Sequence, residues 1–128
     1  MRFMLTAARG LAVLGLCTAT ALTALPAAAA TPGAELYITV TPRHDGAYSM
    51  RLTCDPDGGL HPDPLGACAV LREVGGHVDD LNVNPGPCPL IYDPVDVEVY
   101  GHWYDMPVTY NAEFPNECAM HRKLGPVV

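Results

Sequence analysis

Cys88 stands between two prolines in the run NPGPCPLIYDP, residues 84–94, and four of these eleven residues are proline. A sulfur, a stiff backbone and two bulky aliphatic side chains, Leu90 and Ile91, therefore share one short segment. Other candidates for chemistry are scattered. Ser49 is the single serine, and no nucleophile-elbow glycines surround it. His44, His61, His77, His102 and His121 include no pair at the spacing that sets two metal ligands on one helical face. The acids of DPD at 55–57 and DD at 79–80 sit among turn residues, the ordinary place of solvated carboxylates. A small acidic hydrolase is the catalytic reading they leave open. The lone Trp103 is read as a packing residue. On this inventory the chain is not expected to be an enzyme.

The cysteines carry more information. Arg2 and Arg9, an apolar stretch from Leu11 to about Leu25, and PAAAA at 26–30 have the pattern of a secretory signal peptide. The expectation is a leader over 1–30, a single domain over 31–128 and an extracellular location. No second apolar segment is long enough to span a membrane. Taking Arg2 and Arg9 from seven Lys/Arg leaves five against fourteen Asp/Glu, a formal charge of −9. Such a surface excludes nucleic acid and anionic membrane as natural partners. Cys17 falls in the leader, and Cys54, Cys68, Cys88 and Cys118 remain. Four cysteines in a short secreted chain read as two disulfides, with three connectivities open and sequential pairing the simplest. No CxxC spacing suggests a metal site, and no cofactor is expected.

The elements that must position these residues follow from periodicity. Leu36, Ile38 and Val40 alternate with Tyr37, Thr39 and Thr41; Tyr48, Met50 and Leu52 alternate with Ser49, Arg51 and Thr53. PRHDG at 42–46 joins the two runs, which predicts an antiparallel hairpin. Asp63 followed by Pro64 predicts a helix start, Ala67, Val70, Leu71 and Val74 give its apolar face, and Gly75–Gly76 its end. A second pair of strands is expected at Val95–Tyr100 and Val108–Phe114, turning at Gly101–His102. A second helix should begin at Asn116 as N-cap and stop at Gly125, with Arg122 and Lys123 complementing its dipole. The order predicts an α+β domain: an antiparallel sheet of four to five strands with two helices packed on one face.

Within that frame the proline run has two readings. Pro87 and Pro89 fix their own φ and bias the preceding residues to extended geometry. An exposed segment of this kind would present Leu90 at its apex with its backbone free, the form in which a protease reads a peptide. The other reading buries Leu90 and Ile91 in the core and leaves the prolines only to shape the loop.

A resemblance bears on that choice. CPLIYDPV at 88–95, the run from Trp103 to Met120 containing VTY and NEC, and LTC with HP, ACA and VGG over 52–76 closely resemble the Streptomyces subtilisin inhibitor family. The resemblance covers about residues 35–120. It implies a five-stranded antiparallel sheet with two helices, the pairing Cys54–Cys68 and Cys88–Cys118, and homodimers packed through the sheet. It implies a reactive bond Leu90–Ile91, with Leu90 as the P1 residue. Gly86, Pro87, Cys88, Pro89 and Tyr92 would be the protease-contacting loop, and Asn116, Asp93 and Pro94 its support. The implied partner is an extracellular serine endopeptidase, subtilisin-like or chymotrypsin-like. Trypsin should be a poor target, because the acid in its pocket expects a cation. An extracellular metalloprotease or transglutaminase is the alternative target. The chain departs from the family in carrying leucine at P1, where methionine or lysine is common. It also ends in GPVV at 125–128, so the last strand is expected to be short or absent.

Overall fold

The computed structural model describes residues 21–28 and 30–128. The expected leader therefore lies mostly outside the described residues. None of the described helices is long and apolar enough to cross a membrane.

β1 (Ala34–Pro42) is the centre of the sheet, and its apolar alternation explains why. Leu36, Ile38 and Val40 are fully buried, while Tyr37 and Thr41 face outward. β2 (Tyr48–Cys54) pairs antiparallel with β1, setting Met50 opposite Ile38. β4 (Val95–Trp103) pairs antiparallel with the other edge of β1, setting Val99 opposite Ile38. β5 (Met106–Phe114) pairs with β4, and the short β3 (Gly58–Gly59) with β2, giving the order β3-β2-β1-β4-β5. Each fully buried Leu, Ile or Val contributes about 1.5–3 kcal/mol relative to exposure.

α1 (Pro64–Glu73) starts where the sequence places it. The Asp63 Oδ1 accepts from the Gly66 N–H at 3.0 Å, and Pro64 occupies the first turn, where no amide donor is needed. It buries Ala67, Cys68 and Leu71. α2 (Glu117–Leu124) buries Met120 and Leu124 in the same core and ends at Gly125, whose φ of 56° suits glycine. Both helices cover one face of the sheet. Along the other, Tyr37, Glu98, Tyr100, Thr109, Asn111 and Glu113 are exposed.

Three local expectations need correction. The second hairpin does not turn at Gly101–His102: β4 continues to Trp103, and Tyr104, with φ of 50°, takes the turn. Gly101 is in the strand because a Cβ there would lie 2.1 Å from the Glu35 carbonyl oxygen of β1, so glycine marks a close backbone approach and not a turn. The fifth strand, β3 (Gly58–Gly59), is a two-residue pairing with Leu52 and Thr53 inside the stretch read as a loop. The last strand, expected to be short or absent, is absent as expected: Gly125–Val127 form a 3-10 turn that buries Val127, whose carbonyl lies 3.1 Å from His61 Nε2. Tyr48, expected to face inward with Met50, is exposed.

Candidate reactive loop

The proline run leaves the globule. Leu90 is fully exposed and Ile91 is 62% exposed, so the buried reading of these two side chains does not hold. Between Asn84 and Asp93 the amides of Gly86, Cys88, Leu90, Ile91 and Tyr92 make no backbone hydrogen bond to another described residue. The segment has no regular secondary structure, bends at Leu90, and is apolar at its tip and open along its main chain.

What keeps it from collapsing is helix α2 beneath it. Cys88 is bonded to Cys118 in the first turn of that helix, with the α-carbons 5.8 Å apart. Asn116, the N-cap, uses its whole amide. Its Oδ1 accepts from the Ala119 N–H at 2.9 Å. Its Nδ2 donates to the Ile91 carbonyl at 2.8 Å and the Pro89 carbonyl at 3.3 Å, one on each side of Leu90. Only Asn among the good capping residues offers an acceptor oxygen together with two N–H donors, so the cap and the loop support share one residue.

The limbs of the loop are tied separately. On the incoming side, the Val83 and Asn84 amides donate to the Lys123 and Arg122 carbonyls at 3.1 and 2.9 Å. Lys123 Nζ donates to the Asp79 and Leu81 carbonyls. On the outgoing side, the Asp93 amide donates to the Pro115 carbonyl at 2.8 Å, and the Arg43 amide to the Pro94 carbonyl at 3.2 Å. The β1–β2 turn reaches this limb too: the Arg43 guanidinium lies 6.0 Å from the Tyr92 ring centre, and His44 Nε2 lies 3.8 Å from Asp93 Oδ1.

Sequence reasoning drew attention to Leu90, Ile91, Cys88, Asn116 and the flanking prolines, all of which converge on this loop. It passed over Arg43, Arg122 and Lys123. The last two were read only as dipole complements; for Arg122 the available signal was its spacing of four residues from Cys118, which sets it on that side of the helix.

The other chemical candidates are occupied elsewhere. Asp57 and Asp55 both bind Arg72, and the Arg72 guanidinium holds the Asp57 carboxyl below its ordinary range. That favours a permanent anion in an ion pair, not an acid that trades protons near neutrality. Cys54 and Cys68 lie close to Asp57 but are bonded to each other, so they offer no thiolate to a metal.

Comparison with known proteins agrees with this geometry. The family described as subtilisin inhibitor-like matches residues 32–116. A subtilase-type protease inhibitor of Streptomyces fradiae is 36% identical over 101 residues, covering 73% of this chain and 71% of that protein. A trypsin inhibitor of Streptomyces longisporus is 39% identical over 116 residues, covering 84% and 81%. Among solved structures, Streptomyces caespitosus sermetstatin in complex with Bacillus licheniformis subtilisin superposes with a TM-score of 0.57 at 26% identity, covering 73% of this chain and 96% of the other. An exposed, braced peptide on a two-disulfide α+β frame and these likenesses lead to one conclusion: the chain belongs to the subtilisin inhibitor-like family.

Proposed function

We propose that the protein is a secreted, substrate-like inhibitor of subtilisin-like serine proteases, with Leu90–Ile91 as its reactive bond. The observation that carries this reading is the fully exposed Leu90 on a loop whose two limbs are fixed to the body. Leu90 fills the apolar pocket that takes the residue before the scissile bond. Gly86, Pro87, Cys88 and Pro89 lie along the enzyme's substrate cleft, Ile91 and Tyr92 follow on the leaving-group side, and Asp93 and Pro94 anchor the exit.

The proline spacing fits strand addition. Prolines at 85, 87 and 89 remove donors from alternate residues only. In an extended chain alternate amides point the same way, so Gly86, Cys88 and Leu90 present a complete donor edge to the enzyme. The cost of ordering this peptide, about 0.5–1.5 kcal/mol per immobilised side chain, is met in the free inhibitor. If the enzyme cuts the bond, Asn116 still holds the carbonyls of Pro89 and Ile91, so the new ends stay together and religation competes with release.

The N-terminal pattern of residues 1–30 supports a cleaved leader ahead of a single domain over 31–128. The open sheet face supports a homodimer: Tyr37 and Tyr100 stack there with ring centres 5.2 Å apart, both exposed. Reaction class is tested by titrating a subtilisin with the wild type and with Leu90→Gly. Loss of a buried leucine should weaken inhibition about 10- to 150-fold, the equivalent of about 1.5–3 kcal/mol. Leu90→Lys should gain activity against trypsin. Undiminished inhibition by Leu90→Gly would remove Leu90 from its role.

A further inference from the structure

Arg122 stands one helical turn beyond Cys118, and it meets the loop at a second point. Its backbone carbonyl accepts from the Asn84 amide at 2.9 Å, and its Nη1 donates to the Asn84 carbonyl at 3.2 Å. One residue of α2 therefore grips both backbone polar groups of one loop residue. The guanidinium also lies close against Gly86: a Cβ added there would fall 2.7 Å from Nη1 and 3.0 Å from Cζ. The Nε is buried and has no hydrogen-bond partner among the described residues. A surface arginine serving only the helix dipole would point its head into water and leave no donor unmatched. Arg122 instead keeps its planar head folded under the loop. It lies beyond residue 116, the last position of the family match.

We propose that Arg122 is a positioning residue for the incoming limb of the reactive loop, and that Gly86 lacks a side chain to admit its guanidinium. The inference rests on the inhibitor reading above. A disulfide is a single pivot, and the segment hung from Cys88 can swing about it. Gripping Asn84, four residues upstream, adds a second fixed point, and the limb between them has one orientation. That limb carries the Gly86, Cys88 and Leu90 amides offered to the protease, so its pitch sets how well they align. It also sets the fate of a cut bond. Hydrolysis adds one water across Leu90–Ile91, leaving a carboxylate on Leu90 and an ammonium on Ile91; religation expels that water. Asn116 keeps the two ends near each other, and Arg122 keeps the Leu90 limb aimed at the Ile91 nitrogen.

The test compares wild type, Arg122→Ala, Gly86→Ala, the double variant and Leu90→Gly on three readouts: the inhibition constant against a subtilisin, the ratio of cleaved to intact Leu90–Ile91 at equilibrium with catalytic enzyme, and Tm. Both single variants disturb the same guanidinium. Each should weaken inhibition about tenfold, the scale of one charge-assisted hydrogen bond, and shift the ratio toward cleaved chain. The double variant should be no worse than Arg122→Ala alone. A purely structural role would move Tm and leave the ratio alone. If Arg122→Ala lowers Tm sharply, Gly86→Ala, which retains the arginine, decides. Fully additive effects, or an unmoved ratio in both singles while inhibition still depends on Leu90, overturn the proposal and spare the inhibitor reading. A Leu90→Gly variant as potent as wild type overturns both.

Discussion

Asn116 does two things with one amide, and they can be separated. Its oxygen caps α2 and its nitrogen donates to the carbonyls on both sides of Leu90. Asn116→Asp retains the cap acceptor and loses the donor, and it adds an anion facing two carbonyl oxygens. The expected outcome is a Tm within a few degrees of wild type with inhibition weakened tenfold or more and faster cleavage at Leu90–Ile91. Asn116→Ala should also lose the cap, about 1 kcal/mol of stability. Calorimetry and inhibition assays on the two variants check both parts. At this scale the sequence was informative where a residue's type narrows its task. An asparagine before a helix, a cysteine between prolines and a leucine beyond them each admit few uses. It was silent on Arg43 and on the contact of Arg122 with the loop, because a long flexible cation can satisfy its charge anywhere, and only the tertiary structure shows Arg122 turned under the loop.

The elements were legible wherever burial has a period. The alternation of Leu36, Ile38 and Val40, and of Val95, Val97 and Val99, was enough to give two strands; that they pair with each other is seen only in the structure. Asp63–Pro64 and Asn116 marked both helix starts. Gly101 was misread because glycine marks both turns and close strand contacts, and only the neighbouring strand distinguishes them. β3 was missed because two glycines carry no side-chain pattern at all. The sheet face opposite the helices bears on assembly. A stacked, exposed Tyr37–Tyr100 pair on the open face of the sheet is apolar area that a second copy would cover. Sedimentation should find a dimer of the wild type and a monomer of Tyr37→Asp. Inhibition should persist in that monomer, since the loop is held by α2 on the opposite, helix-bearing face. A wild-type monomer would contradict the homodimer.

The whole molecule is a rigid mount for one peptide. A domain of about a hundred residues buries a modest core, and two disulfides add roughly 3–4 kcal/mol each in the chain-entropy picture. One of them lies directly under the loop, so a cut chain remains one molecule. The measurement that tests this most directly is the mass and the new termini of the protein after long incubation with a catalytic amount of subtilisin. The account predicts one cut, between Leu90 and Ile91, a gain of one water, and two fragments that separate only after the Cys88–Cys118 bond is reduced. A first cut elsewhere, or rapid breakdown into many pieces, would contradict it.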